Sequence, residues 1–247
     1  MLKRFLISIF LLTLVFAGAA VHAEDEAIEY GQKVTGEITS RNFEIPYVFS
    51  GKAKDMVIIE MRAVGTNSKL TNPAIILLNQ NGDVVADTTR AIAYLNAFLV
   101  VQLPKDDDYT ILASRSQGRS GKSVGQYTLE LIQPEVLEAG SSLDGELSSK
   151  GRSNYYVIQS TGAALDLAYQ KQTGQFFPQV SVARISTTNG FLTVASMSGR
   201  ELLRGQINVP STRGLYIVTV GRSPLDILPT QEVKTTYQLK LLKPAQV

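Results

Sequence analysis

The sequence predicts an all-β protein: two tandem β-sandwich or jelly-roll domains following an N-terminal signal peptide. Three observations carry this. The chain opens on a short apolar leader, its remainder alternates apolar and polar residues between glycine turns, and the same residues recur 105 to 110 positions apart.

The leader comes first. Met1-Leu2-Lys3-Arg4 is a basic start, and Phe5 to Ala20 is apolar apart from Ser8, Thr13 and Gly18. Val21-His22-Ala23 suits a signal peptidase, and Glu24-Asp25-Glu26 follows at once. The apolar run of about 16 residues falls short of the roughly 20 that span a bilayer. Residues 1–23 are therefore expected to be removed on export to the periplasm or the extracellular space, leaving no transmembrane segment. No cysteine is available for a lipid anchor.

Removing the leader changes the chemistry of the chain. The 247 residues hold 24 Lys+Arg, 22 Asp+Glu, one His, no Cys and no Trp, for a net charge of +2. Lys3, Arg4 and His22 all lie in the leader, so residues 24–247 are neutral overall and contain no histidine. Without a net positive field, nucleic acid is not an expected partner. Ser-His-Asp triads, Cys-His dyads and ordinary zinc sites are all excluded.

Two copies of one unit make up the rest. Gly36-Glu37-Ile38 recurs as Gly145-Glu146-Leu147, Gly31 as Gly140, and Tyr47-Val48 as Tyr156-Val157. Pro73 matches Pro178, Gly82 matches Gly190, Pro104 matches Pro210 and Tyr109 matches Tyr216. Arg115-Ser116 matches Arg222-Ser223, and Tyr127-Thr128-Leu129-Glu130-Leu131 answers to Tyr237-Gln238-Leu239-Lys240-Leu241. The matched blocks have the period of two that a half-buried strand requires: Tyr109, Ile111 and Ala113 share a face, as do Tyr216, Val218 and Val220. The same period sets Val57, Ile59 and Met61 against Leu165, Leu167 and Tyr169, because a one-residue slip would exchange the faces. Turns are signalled at Ser50-Gly51, Asn81-Gly82, Asn189-Gly190, Ser198-Gly199 and Arg213-Gly214. No amphipathic helix is evident. The first domain is expected over 24–133 and the second over 134–247, joined closely through 133–139. Their net charges are −3 and +3, which either assists docking or reflects drift among solvated residues.

The order of these blocks resembles the bacterial pre-peptidase C-terminal domain. It runs Gly-Glu-Ile, Tyr-Val-Phe, a Pro-led strand, Asn-Gly, Leu-Pro, Asp-Tyr-Thr-Ile and a closing Gly125-Gln126-Tyr127-Thr128-Leu129-Glu130-Leu131. The second copy diverges, with Thr236 in place of the glycine before Tyr237. The resemblance implies two β-sandwich modules of a kind found as accessories on exported enzymes, often peptidases. This chain has no room for the peptidase itself.

The sites the sequence offers are few. Asp106-Asp107-Asp108, with Asp83 and Asp87 near the Asn81-Gly82 turn, form either a calcium site in the first domain or charged turns that keep strand ends soluble. Tyr155 and Tyr156 are adjacent, so one ring faces outward on a strand. Phe176 and Phe177 pose the same question, and such rings serve as a ligand platform, a domain-interface anchor or core. Gly121-Lys122-Ser123 lacks the first glycine and the helix of a phosphate-binding loop. Leu228-Pro229-Thr230-Gln231-Glu232 lacks the glycine and apolar tail of a wall-sorting signal. No catalytic residue and no cofactor are assigned. The expected function is that of an exported, non-catalytic binding or accessory protein for a protein, polysaccharide or cell-envelope partner. The alternatives are an accessory subunit of a separately encoded secreted peptidase and a carboxylate-based polysaccharide hydrolase.

Overall fold

A computed structural model describes residues 26–65, 68–89, 95–151, 153–186, 190–198, 202–223 and 231–243. The leader, the turn residues Asn189 and Gly199, and the 228–230 tract lie outside the described residues.

The repeat is a repeat of strands. The first nine are β1 (Glu26–Ala27), β2 (Lys33–Ile38), β3 (Ile45–Gly51), β4 (Met56–Ala63), β5 (Pro73–Leu78), β6 (Val84–Asp87), β7 (Asn96–Gln102), β8 (Asp107–Arg115) and β9 (Gly125–Ile132). The next nine are β10 (Glu135–Val136), β11 (Ser142–Ser148), β12 (Asn154–Ser160), β13 (Leu165–Gly174), β14 (Pro178–Ser186), β15 (Gly190–Met197), β16 (Arg204–Val209), β17 (Gly214–Arg222) and β18 (Lys234–Leu242). The only helical piece among the described residues is a single 3-10 turn, Gly118–Ser120.

The first set forms a five-stranded sheet, β1-β3-β8-β5-β6, and a four-stranded sheet, β2-β9-β4-β7. The second set forms β10-β12-β17-β14-β15 and β11-β18-β13-β16. Adding nine to each label carries one pair of sheets onto the other. Among the described residues only the short β1 and β10 pair in parallel, with β3 and β12. Register supports the alignment read from periodicity. Ile59 pairs with Leu131 and Leu167 with Leu241, so the two central strands hold their core residues in the same places.

Each pair of sheets closes over its own core. The first packs Val57, Ile59 and Met61 against Tyr47, Ile75 and Ile111, and the second packs Leu165, Leu167 and Tyr169 against Tyr156, Val180 and Val218. Across each core runs a phenol pair: Tyr47 and Tyr127 hydroxyls are 2.9 Å apart, and Tyr156 and Tyr237 hydroxyls 2.8 Å. One tyrosine of each pair belongs to each sheet, so the bond ties the sheets together. Burial pushes the pKa of all four phenols up. Neutral phenols are what an apolar interior tolerates.

The recurring glycines make room for these rings. Gly36 lies directly across the sheet from Tyr127, and Gly145 from Tyr237. A Cβ at either glycine would overlap the phenol lying over it. Other repeated residues have equally local reasons. Tyr109 and Tyr216 each lie near the start of a strand and donate a hydrogen bond back four residues, to the carbonyls of Lys105 (2.8 Å) and Thr212 (3.1 Å). Such a corner fixes how the chain enters the strand. Arg115 and Arg222 close the opposite ends. Arg115 donates to the carbonyls of Gly118 (2.9 Å) and Ser123 (3.0 Å), and Arg222 to that of Ser149 (3.0 Å).

Gly36→Ala and Gly145→Ala are each expected to cost about 1–3 kcal/mol, the range for overpacking a filled core. Urea denaturation of the two variants, set against an alanine at an exposed strand position, checks this. Unchanged midpoints in both would sink the seating role of the glycines.

Candidate functional site

What the two repeats do not share lies on their outer faces. The first four-stranded sheet carries an apolar patch on its outward face: Met56 and Ile58 on β4, Phe98 and Val100 on β7, Ile132 on β9. Strand β4 is consequently buried on both sides from Met56 to Met61. The surface that covers it is the outer face of the second five-stranded sheet, with Tyr155 and Val157 on β12, Ile185 on β14, and Leu215 and Ile217 on β17. The two sandwiches are thus docked sheet on sheet through a third, smaller apolar cluster.

One polar group is embedded in that interface. Glu60 is 3% exposed, and its carboxylate accepts a hydrogen bond from the Tyr155 hydroxyl at 3.3 Å. Arg62, two residues along the same strand, ion-pairs with it. The Tyr155 ring also packs against Phe98, with centroids 5.2 Å apart. Burial first, and then the nearby Glu60 charge, push the Tyr155 phenol up to about 12. An opposite-charge pair on one domain and a phenol on the other therefore set the register of an otherwise apolar contact.

The same face of the second four-stranded sheet is open and polar. Register places Asp166 where the first repeat has Ile58, Ala168 for Glu60, Gln206 for Phe98 and Asn208 for Val100. Rows of outward side chains run across the strands: Asp144, Gln238, Gln170 and Arg204 in one, then Ser142, Lys240, Ala168 and Gln206 in the next. Ala168, the shortest of these side chains, lies in the floor of a trough of about 390 Å³. Gln238 and Gln172 both donate to Asp144 Oδ1 at 3.0 Å, which fixes the Gln238 amide at one edge. Neither Arg204 nor Lys240 is ion-paired among the described residues.

Between the repeats, beside the linker, a second and wider cleft of about 610 Å³ carries Glu130, Glu135, Asp144, Glu146 and Glu232. Glu146 is paired with Lys234 at 2.6 Å, and Glu232 accepts from Ser148 Oγ at 2.5 Å. Glu146, Glu232 and Asp144 thus each have a local partner.

The five aspartates considered for calcium are not brought together. Asp106 accepts from the Ala53 amide (2.7 Å), Asp108 from Ser50 Oγ (2.6 Å) and Asp83 from the Asn79 side chain (3.1 Å). Asp87 caps Thr89, and Asp107 pairs with Lys105 at 2.8 Å. The Lys105 hydrogen bond holds the Asp107 carboxyl below its usual range. Among the described residues no three acidic groups converge as a metal ligand set would. The adjacent aromatics are divided between core, interface and surface. Tyr156 and Phe176 are core residues at 4% exposure, Tyr155 is the interface anchor, and Lys171 Nζ sits 3.9 Å above the centroid of the Phe177 ring. The open trough of the second repeat was missed. Its signal was the amides at Gln170, Gln206 and Gln238, with Gln206 and Asn208 standing where the first repeat has Phe98 and Val100.

No family model matches the chain, and no curated protein is similar to it. Solved structures similar to it include the pre-peptidase C-terminal domain of a collagenase from Bacillus anthracis. That match has 14% identity over 44% of this chain and 94% of that one, with a TM-score of 0.32. Tandem CBM51 modules of a family 98 glycoside hydrolase from Streptococcus pneumoniae match at 9% identity over 84% of each chain, TM-score 0.26. The PBSX exported protein XepA matches at 11% over 84% of this chain and 86% of that one, TM-score 0.23. The sandwich architecture itself is read from the strand pairing above.

Ile217→Asp is expected to separate the domains while leaving each sandwich folded, because the new charge would be buried against Ile58 and Val100. Small-angle scattering should show a larger radius of gyration with unchanged far-ultraviolet dichroism; an unchanged radius refutes the docking.

The Tyr155 phenol also makes alkaline stability a readout of the interface. A folded pKa of about 12 against an ordinary value near 10 means that the folded chain keeps a proton the unfolded chain gives up. That contribution is complete below pH 10 and is lost as pH rises towards 12, by roughly 1 kcal/mol for each pH unit. Tyr155→Phe is expected to flatten this decline by about one proton. Denaturation midpoints between pH 9 and 11 decide it, and an unaltered slope in the variant counts against the buried phenol.

Proposed function

We propose that the chain is an exported, non-catalytic binding protein of two pre-peptidase C-terminal-like modules, with the second presenting the binding face. The observation that carries this is the contrast between equivalent faces. The first repeat uses the outer face of its four-stranded sheet to hold its neighbour, whereas the second leaves that face open and lines it with amides and two cations that have no ionic partner among the described residues. Amides donate and accept at once, which suits a ligand rich in hydroxyl and carbonyl groups. An open trough on a sheet suits an extended polymer lying across strands better than a small molecule, which favours enclosure.

Catalysis is not part of this reading. Residues 24–247 carry no histidine or cysteine, and Glu146 and Glu232 of the wide cleft are held by Lys234 and Ser148. The basic start, apolar run and small residues before Ala23 support export.

A thermal-shift panel of residues 24–247 with soluble polysaccharides and gelatin is the test. A polymer that occupies the trough should raise the melting temperature in proportion to its occupancy. No new reducing ends or peptide termini should appear on prolonged incubation. Turnover of any polymer in the panel refutes the non-catalytic reading, and the absence of any shift refutes the binding one.

A further inference from the structure

We infer that the trough on the second four-stranded sheet is a site for an acidic polysaccharide, a polymer of hydroxylated rings carrying carboxylates. This rests on the binding-module reading above and names its ligand. Three features of the site point the same way.

The first is the placement of charge. Arg204 on β16 and Lys240 on β18 lie in adjacent rows at opposite sides of the sheet, with β13 between them. Both are exposed, and neither meets an acidic partner among the described residues. A polymer crossing the strands diagonally would meet one cation on each side of Ala168. A guanidinium fork matches a carboxylate with two parallel hydrogen bonds, and an ammonium supplies a compact second charge.

The second is what fills the space between the cations. Gln170, Gln206 and Gln238 present amides to the trough, and the Gln238 amide is held at 3.0 Å from Asp144. With its N–H committed to that carboxylate, Gln238 offers its carbonyl oxygen to a hydroxyl. The short Ala168 side chain keeps the floor clear for a ring.

The third is the comparison inside the chain. At the position of Lys240 the first repeat has Glu130, and at that of Arg204 it has Asn96. Residues 134–247 carry a net charge of +3 and residues 24–133 one of −3. A polyanion is therefore drawn to the second repeat and repelled from the first, over a range set by the ionic strength.

Affinity electrophoresis of residues 24–247 in gels containing polygalacturonate, with dextran as the neutral polymer, tests the site. The protein should be retarded by polygalacturonate and not by dextran, and the retardation should weaken with added salt. The double substitution Arg204→Gln, Lys240→Gln should lower the apparent affinity by about tenfold or more, since each removes a charge-assisted hydrogen bond. Lys150→Gln, an exposed cation elsewhere on the second repeat, should leave it unchanged. Gln170→Ala with Gln206→Ala serves as a second variant that keeps both charges, and it should weaken binding while preserving the salt dependence. Equal loss in the Lys150 variant, or none in the double variant, overturns the site. Retardation by dextran alone overturns the acidic ligand while leaving the binding reading intact, and retardation by neither, with no thermal shift in the wider panel, removes both.

Discussion

A tyrosine laid over a glycine on the neighbouring strand can carry its hydroxyl to the middle of a sandwich, provided the second sheet supplies a partner there. Gly36 and Tyr127 meet that condition through Tyr47, and Gly145 and Tyr237 meet it through Tyr156. The arrangement fixes three things together. It sets the register between β2 and β9 or β11 and β18, the spacing between sheets, and the residue type at the glycine. A phenol left without its partner would bury an unsatisfied donor, at a cost of about 1–3 kcal/mol. None of the three positions can therefore drift alone. In the second repeat Asn154 adds a further donor to Tyr237 at 2.7 Å, where the first repeat has Ile45. The pair is thus retained even as its surroundings change.

The repeat was legible in sequence because interior constraints of this kind are strict. Tyr109 and Tyr216 recur for their hydrogen bonds to carbonyls four residues back, and Arg115 and Arg222 for their bonds to loop carbonyls. The alternation of Val57, Ile59 and Met61 was legible for the same reason. The outer faces were harder to read. A period of two identifies the buried side of a strand, but β4 runs Met-Val-Ile-Ile-Glu-Met and is covered on both sides. Such continuous apolar runs are the mark of a strand with no solvent face. The runs at Phe98-Leu99-Val100-Val101 and Leu215-Tyr216-Ile217-Val218 carry the same mark, and together they locate the domain interface.

The site residues chosen by type fared differently, and the reason is physical. Aspartate clusters and adjacent aromatics draw attention because their side chains are chemically distinctive. At strand ends, however, aspartates are readily consumed by backbone amides and hydroxyls, as at Ala53 and Ser50. Aromatics are the residues that cores and interfaces recruit first. Glutamines on a sheet surface are individually unremarkable in sequence. Only the pairing of β13 with β16 and β18 assembles Gln170, Gln206 and Gln238 beside Arg204 and Lys240.

The docking of unlike faces raises a question of closure. A four-stranded face on a five-stranded face is a heterologous contact, and such contacts extend indefinitely when each unit presents both surfaces. Here the second repeat would have to offer the outer face of β13 and β16 to a following copy. Asp166, Gln206 and Asn208 stand there in place of Ile58, Phe98 and Val100. Burying them against an aliphatic sheet would strip water from a carboxylate and two amides without replacing their hydrogen bonds. These polar side chains therefore disfavour a third sandwich docking on this face as the second docks on the first, and Gln206 among them also lines the trough.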